Sequence, residues 1–145
     1  MVEIKHKTFG AGGHQPEEKK MDVADLRSLI ELGCVRDSVT IGNMTFELRS
    51  LSAVENMEAA KFLGENPDAE KVFELNVLLL SMAIESVNGT PLESLYEGEQ
   101  TPNVLVARQS VIRQLHGSVL GALMKCHHDI STKANSQFSG EQVKN

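Results

Sequence analysis

Hydrophobic residues at helical spacing begin just after the first twenty residues of the chain. Five apolar positions (23, 26, 29, 30 and 32) fall on one side of a helix. Asp22 is a residue type that caps helix N-termini, and Gly33 suits the position just beyond a helix C-terminus. The pattern therefore predicts a first helix between Asp22 and Gly33.

The next segment alternates apolar and polar residues, which is typical of a strand with one buried face. Five apolar residues alternate with polar ones on the two sides of Gly42-Asn43: Val39, Ile41, Met44, Phe46 and Leu48. A two-residue loop containing glycine between two such segments predicts a β-hairpin, here over 35–49. Because an isolated hairpin is marginally stable in water, we expect its apolar set to pack on helices or on a partner sheet.

Helical signals return after the hairpin. Ser52 and Glu55 have the spacing of a capping box, which predicts a helix that ends before Gly64. Pro67 suits the first position of a long apolar helix, which we expect over 67–87.

The remaining apolar sequence predicts two more helices. Asn88-Gly89 is interpreted as a helix stop, followed by a short helix over 90–96. A last, long helix is expected from Thr101 to about Ile130. The predicted fold is therefore mainly α with a small β-hairpin (α+β): a helical, bundle-like domain with flexible termini. The predicted boundaries are an N-terminal arm over 1–20, one domain over 21–131 and a polar C-terminal tail over 132–145.

The helix over 67–87 is apolar on nearly every side, and two interpretations are open. It is either an ordinary central helix, covered by the other helices and the hairpin, or one side of it binds a partner helix or a hydrophobic client. Leu75 and Leu79 belong to the set that would make such a contact.

Gly117 and Gly121 lie four residues apart in the last predicted helix. A glycine inside a helix costs about 1 kcal/mol relative to alanine. Small residues at this spacing allow another backbone to approach closely. The pair predicts either a tight crossing against the helix over 67–87 or a contact with another subunit.

Charge and composition exclude several classes of partner. The chain has 14 Lys and Arg against 20 Asp and Glu, a formal net charge of −6. Nucleic-acid binding depends on a basic footprint, so we expect neither nucleic acid nor an anionic membrane as a partner. The longest apolar run is far shorter than the roughly 20 residues that span a bilayer, and the N-terminus lacks the apolar segment of a signal peptide. Cys34 and Cys126 fit free thiols in a reducing cytoplasm.

The strongest candidate for a metal site is Cys126-His127-His128-Asp129. Consecutive helical residues point about 100° apart, so only Cys126 and Asp129 share a helix face. Zinc requires three or four converging protein ligands, and no second Cys/His cluster supplies them. We interpret the two histidines as cations near a helix C-terminus. No phosphate loop or catalytic arrangement is present either, so we expect no metal, no cofactor and no enzymatic activity.

Three segments of the chain together resemble a known class of protein. They are the hairpin "VTIGNMTFELRSLSAVEN", the helix ending "AIESVNGTPLESLY" and the long helix "ARQSVIRQLHGSVLGALMKCH". In this order they resemble the small tail assembly chaperones and baseplate-hub assembly proteins of long-tailed bacteriophages. The resemblance covers about residues 28–130, and the N-terminal arm departs from it.

This resemblance implies a non-enzymatic role in virion morphogenesis, as an assembly chaperone or a minor structural component. It implies other phage tail or baseplate proteins as partners, with a homo-oligomer as an open alternative, and a location in the host cytoplasm or in the virion. The alternative is a generic helical adaptor or regulator unrelated to phage. The residues expected at protein contacts are Val39, Ile41, Phe46, Leu75, Leu79, Gly117 and Gly121.

Overall fold

The structure, a computed structural model, describes residues 20–98 and 103–137. The chain divides into two compact units, residues 1–32 and 33–145. The predicted boundaries at residues 20 and 131 stay predictions. The first unit contains helix α1 (Val23–Glu31), which starts with a capping box formed by Asp22 and Asp25 and has no buried residue. The predicted N-terminal arm, apart from Lys20, lies outside the described residues.

The described part of the second unit combines four α-helices with a four-stranded antiparallel sheet of order β1-β2-β3-β4. The strands are β1 (Arg36–Ile41), β2 (Met44–Arg49), β3 (Ile84–Val87) and β4 (Thr90–Pro91). The helices are α2 (Ala53–Leu63), α3 (Ala69–Ala83), α4 (Val104–Arg113) and α5 (Gly117–Ser136), with a 3₁₀ helix (Leu92–Leu95) before α4. The predicted α+β class, mainly helical with an early hairpin, is confirmed.

The first hairpin forms where the sequence predicts it. Ile41 pairs with Met44 across the turn, and Gly42 has a φ of 66°, the left-handed region that glycine enters most readily. Val39 lies opposite Phe46 on the face that meets the core. Met44 is the exception in the predicted inward set, because 40% of its surface remains exposed.

The helix predicted over 67–87 is wrong at both ends. It begins at Ala69 after Asp68 as N-cap, so Pro67 is not its first residue, and it ends at Ala83, where the chain continues as β3. The two residues after β3, Asn88 and Gly89, have φ values of 51° and 82°. Two positive φ values in a two-residue loop are the signature of a hairpin turn that favours Asn-Gly. Asn88-Gly89 therefore reverses the chain between two strands, and the predicted helix over 90–96 is β4 followed by a 3₁₀ helix.

Asn88 also joins the second hairpin to the first. Its backbone N–H donates to the Thr45 carbonyl at 2.8 Å, and its side-chain Oδ1 accepts from the Thr45 N–H at 2.8 Å. These bonds lie beside the Phe46–Val87 pair of the β2–β3 ladder. Asn88 therefore satisfies both polar backbone groups of Thr45 and joins the two hairpins beside this ladder.

The last predicted helix is two helices, which corrects the prediction of a single one over 101–130. α4 ends at Arg113, the Leu115 N–H closes a tighter turn by donating to the Ile112 carbonyl at 3.0 Å, and His116 has an extended ψ of 158°. Leu115 lies half-buried against the core, so the bend keeps it in contact with the protein. α5 continues to Ser136, into the predicted tail, and residues 138–145 lie outside the described residues.

The core lies between the sheet and the helices. α5 packs on β1 and β2, while α3 contacts α2, α4 and α5. The buried apolar cluster is Phe46, Leu48, Val77, Leu80, Ile84, Val87, Leu92, Ile112, Leu123 and Ile130. α3 is therefore a central helix, and the first of the two interpretations of its apolar sequence holds for the side that carries Val77 and Leu80.

Candidate functional site

The opposite side of α3 is incompletely covered. Leu75, Leu78 and Met82 follow one another at helical spacing, away from Val77 and Leu80, and all three are half-buried. α2 and α4 both pack on α3, yet within the described residues they make few or no contacts with each other. Glu55 of α2, Met82 of α3 and Leu105 of α4 line one cavity, so α3 forms the floor of a groove between α2 and α4, and we call it the α3 groove.

Large apolar side chains on both wall helices are exposed to solvent. On α2, Val54 and Met57 are 61% and 51% exposed, and by helical spacing they lie on the side opposite Ala59, the one buried residue of that helix, so they face away from the groove. On α4, Val104 and Leu105 are 56% and 40% exposed. A helix whose outward residues are also apolar is characteristic of a surface that another protein covers.

Arg108 fixes α4 against the C-terminal end of α3. Its Nε donates to the Ser81 carbonyl at 2.5 Å, a second guanidinium N–H donates to the Ile84 carbonyl, and a third donates to Glu93 at 2.6 Å. The last carbonyls of a helix, here that of Ser81, have no partner within the helix and carry partial negative charge, so the half-buried guanidinium of Arg108 is a favourable donor to it. At the other end of α4, Arg113 forms an ion pair with Glu74 of α3.

Glu55 fixes α2 in the same way. Its carboxylate accepts two hydrogen bonds from Arg49 of β2, at 2.8 and 2.9 Å, and one from the Ser52 N–H at 2.8 Å. These bonds, the arginine pair foremost, hold the pKa of Glu55 at about 2. The Glu55 side chain therefore joins β2, through Arg49, to the N-cap and the first turn of α2.

A cavity of about 500 Å³ lies at the end of the α3 groove where α2 and α4 begin. Its apolar lining is Met82, Val104 and Leu105, and its polar lining includes Arg49, Glu55 and Arg108. Glu85 also lines the cavity and pairs with Arg36 at 3.1 Å. Because each arginine of the lining binds a carboxylate as well, the charges at the cavity are neutralised within the protein. The apolar part of the cavity is therefore suited to an apolar side chain of a partner.

The seven residues predicted at protein contacts are not brought together. Phe46 is buried in the core, and Val39 and Ile41 are half-buried against it. Leu75 and Leu79 are half-buried on α3, and Leu75 lies on the side that forms the groove floor. The hairpin residues are thus occupied by the protein's own core, while Leu75 lies next to uncovered surface.

Gly117 and Gly121 lie on an exposed side of α5. A Cβ atom added at either position would meet nothing within 4 Å. The tight crossing against α3, one of the two sequence interpretations, is therefore wrong. The alternative, contact with another subunit, remains a prediction.

The Cys126–Asp129 sequence forms no site. His127 is buried and His128 exposed, so their side chains point apart, and Asp129 pairs with Lys125 at 3.4 Å. Both histidines lie in the middle of α5, which corrects their interpretation as cations at a helix C-terminus. Burial lowers the pKa of His127, with the neighbouring His128 adding to the effect. No group of three or more His, Cys, Asp or Glu residues in the described ranges could hold a metal ion.

Helix α1, described by itself, has a second exposed apolar surface. Its predicted stripe is present, and each member is between 46% and 68% exposed: Val23, Leu26, Leu29, Ile30 and Leu32. The stripe has the length of about two helical turns, which is short for a helix that is stable alone in water.

The residues that define the α3 groove on α4 were missed in the sequence. Val104, Leu105 and Val106 form an apolar run in the first turn of α4, at positions without a regular stripe. Nothing in the sequence indicated the role of Arg108, because its partners include backbone carbonyls that are distant in sequence. The run of exposed valine and leucine after Asn103 is the one feature that could have indicated an uncovered surface.

Searches against protein-family models, curated proteins and solved structures found no significant match to this chain. Among the described helices, none combines the length and the hydrophobicity needed to cross a membrane.

Proposed function

We propose that the protein is a non-enzymatic protein-binding component in the morphogenesis of a bacteriophage tail or baseplate, as an assembly chaperone or a minor structural part. The observation that supports the binding role is the α3 groove. Its half-buried leucines on α3 and its exposed wall residues on α4 are apolar, and its cavity is large enough for an apolar anchor. Hydrophobic surface of this kind gains free energy when a partner covers it.

The phage setting rests on the sequence resemblance. Two of its segments, the first hairpin and the "ESVNG" segment, lie side by side in the sheet and are joined through Asn88 and Thr45. This adjacency supports the view that the two segments form one structural unit. It carries no information about which protein binds.

Deletion of the gene in a strain that produces phage particles tests the proposal. We expect electron microscopy of the lysate to show particles with missing or defective tails, because either a chaperone or a structural part would be absent. Expression of the intact chain from a plasmid should restore normal particles.

A substitution at the α3 groove tests the site. Leu105→Glu should fail to restore the particles, and Leu95→Glu should restore them, because these leucines are similarly exposed (40% and 38%) and Leu95 does not line the cavity. Glutamate in the first turn of α4 also suits the helix dipole, so the fold should persist. Normal particles after the deletion would contradict the phage role, and restoration by Leu105→Glu would contradict the role of the groove.

A further inference from the structure

The α3 groove is apolar along its floor and acidic around one end. Between residues 53 and 83 there are six acidic side chains and two lysines. Two of these acids form ion pairs with arginines of the protein: Glu55 with Arg49 and Glu74 with Arg113. The remaining acids therefore outnumber the two lysines two to one, and they concentrate toward the turn between α2 and α3.

The two ends of the groove thus differ chemically. At the start of α2 and α4, the cavity is lined by Met82, Val104 and Leu105, with its charges neutralised. At the opposite end, Glu65, Asp68 and Glu70 lie near the N-terminus of α3. Lys71 there lies 5.1 Å from the centre of the Phe62 ring, so one of the two lysines is held against an aromatic face.

We propose that the α3 groove binds an amphipathic helix of another protein, one with an apolar stripe and basic flanking residues. This inference rests on the proposed protein-binding function and adds the chemical class of the partner. A helix laid between two wall helices and over a third completes a helical bundle and covers the apolar floor. The floor from Leu75 to Met82 is about 10 Å long, so it accommodates apolar residues from about two turns of the partner.

Charge favours this partner over a second copy of the chain. The formal net charge is −6, so self-association at an acidic groove would bring like charges together. Basic residues that flank the apolar stripe of a partner would instead meet the acids at the α2–α3 turn. Such contacts increase the association rate and are weakened by salt.

Three synthetic peptides of about 20 residues test the inference with the intact chain. Two have the same leucine stripe at helical spacing, one with lysine and one with glutamate at the polar positions. The third has the composition of the lysine peptide in scrambled order. Fluorescence anisotropy at low salt should show the lysine helix binding about tenfold or more tightly than the glutamate helix, with little binding of the scrambled peptide. The difference should decrease as salt is added.

Variants locate the binding to the groove. Leu105→Glu should weaken binding of the lysine helix about tenfold or more, because it removes one apolar anchor and introduces a charge that binding would desolvate. Leu95→Glu should leave it within about twofold. Circular dichroism and urea unfolding of both variants identify any loss of fold.

Four results would overturn the inference: no binding of either stripe peptide, equal or tighter binding of the glutamate helix, equal binding of the scrambled peptide, or no effect of Leu105→Glu. A dimer that Leu105→Glu dissociates would assign the groove to a second copy and overturn it as well. These results are separable from the particle test. Peptide failure with defective Leu105→Glu particles leaves the proposed function intact, whereas normal particles after deletion of the gene contradict that function whatever the peptides do.

Discussion

Glu55 shows how much one side chain can organise. Its carboxylate binds Arg49 of the sheet through two hydrogen bonds and caps its own helix by accepting from the Ser52 N–H. The capping box was evident in the sequence as Ser52 and Glu55 at the required spacing. The arginine partner was not, because nothing in the spacing of β2 and α2 indicates which charged residues will meet.

The pH dependence of stability should reflect this carboxylate. The pKa of Glu55 is about 2 in the folded protein against an ordinary value of 4.5. The unfolded chain therefore binds more protons between these values, so this contribution is complete above about pH 4.5 and is lost as the pH falls toward 2. Glu55→Gln should lower the free energy of unfolding by about 1–2 kcal/mol at pH 7. Between pH 7 and pH 3, the free energy of unfolding of Glu55→Gln, measured in urea titrations, should decrease less than that of the wild type.

Glu58→Gln on the same helix is the control, and it should follow the wild-type pH profile. An unchanged pH profile in Glu55→Gln would show that the carboxylate does not join the strand to the helix.

His127 should produce a second pH dependence, near neutrality. It is 7% exposed, its Nδ1 has no hydrogen-bond partner among the described residues, and burial lowers its pKa below the ordinary value of 6.5. Just below pH 6.5 the unfolded chain therefore binds more protons at this histidine than the folded protein does. The free energy of unfolding should consequently decrease as the pH falls below about 6.5. His127→Leu should abolish this decrease, measured by thermal unfolding between pH 5 and 8. His128→Gln, on the exposed side of α5, should retain most of it, and a His127→Leu profile parallel to the wild type would contradict the assignment.

At the scale of elements, the second hairpin depends on Asn88. Asn88→Ala should lower the free energy of unfolding by about 2 kcal/mol, because it removes the side-chain bond to Thr45 and places alanine at a positive φ. Asn88→Gly should cost less, since glycine accepts the backbone conformation and loses the side-chain bond alone. Urea unfolding would compare the two, and a larger loss for glycine than for alanine would mean that the turn geometry is not what holds the hairpin.

Two substitutions at Gly121 in α5 distinguish an effect on the stability of the helix from a contact with another subunit. Gly121 is exposed with open space around its Cβ position, so Gly121→Ala should raise the free energy of unfolding by about 0.5–1 kcal/mol. Gly121→Leu should also fold, yet disrupt assembly if the glycine faces another subunit. Size-exclusion chromatography and partner binding of Gly121→Leu measure this, and unchanged results would refute the contact.

Local patterns predicted those elements whose signals lie within a few residues. The first hairpin was predicted from alternation and Gly42, and α2 from its capping box. The second hairpin was missed because the apolar residues before Asn88 are equally compatible with the end of a buried helix, although Asn-Gly is the strongest short hairpin signal. The break before Gly117 was missed because glycine is only weakly unfavourable in a helix, and the reason for the bend is tertiary packing of Leu115.

For the whole molecule, the sequence predicted an apolar excess and the structure shows where it lies. Most of α3 is used by the protein's own core, and the remainder forms the floor of a groove whose α4 wall also exposes apolar residues. The groove could not be predicted because it depends on the separation of α2 and α4, two helices that are distant in sequence and do not pack together. The central claim is that these uncovered apolar side chains exist to be covered by another protein.

The most direct measurement is photo-crosslinking in cells that produce particles, with a photoreactive amino acid in place of Leu105 and, as the matched control, in place of Leu95. We expect position 105 to give one dominant adduct, which mass spectrometry identifies as a tail or baseplate protein joined through a helical segment, and position 95 to give little. No adduct from position 105, or the same adducts from both positions, would contradict the central claim.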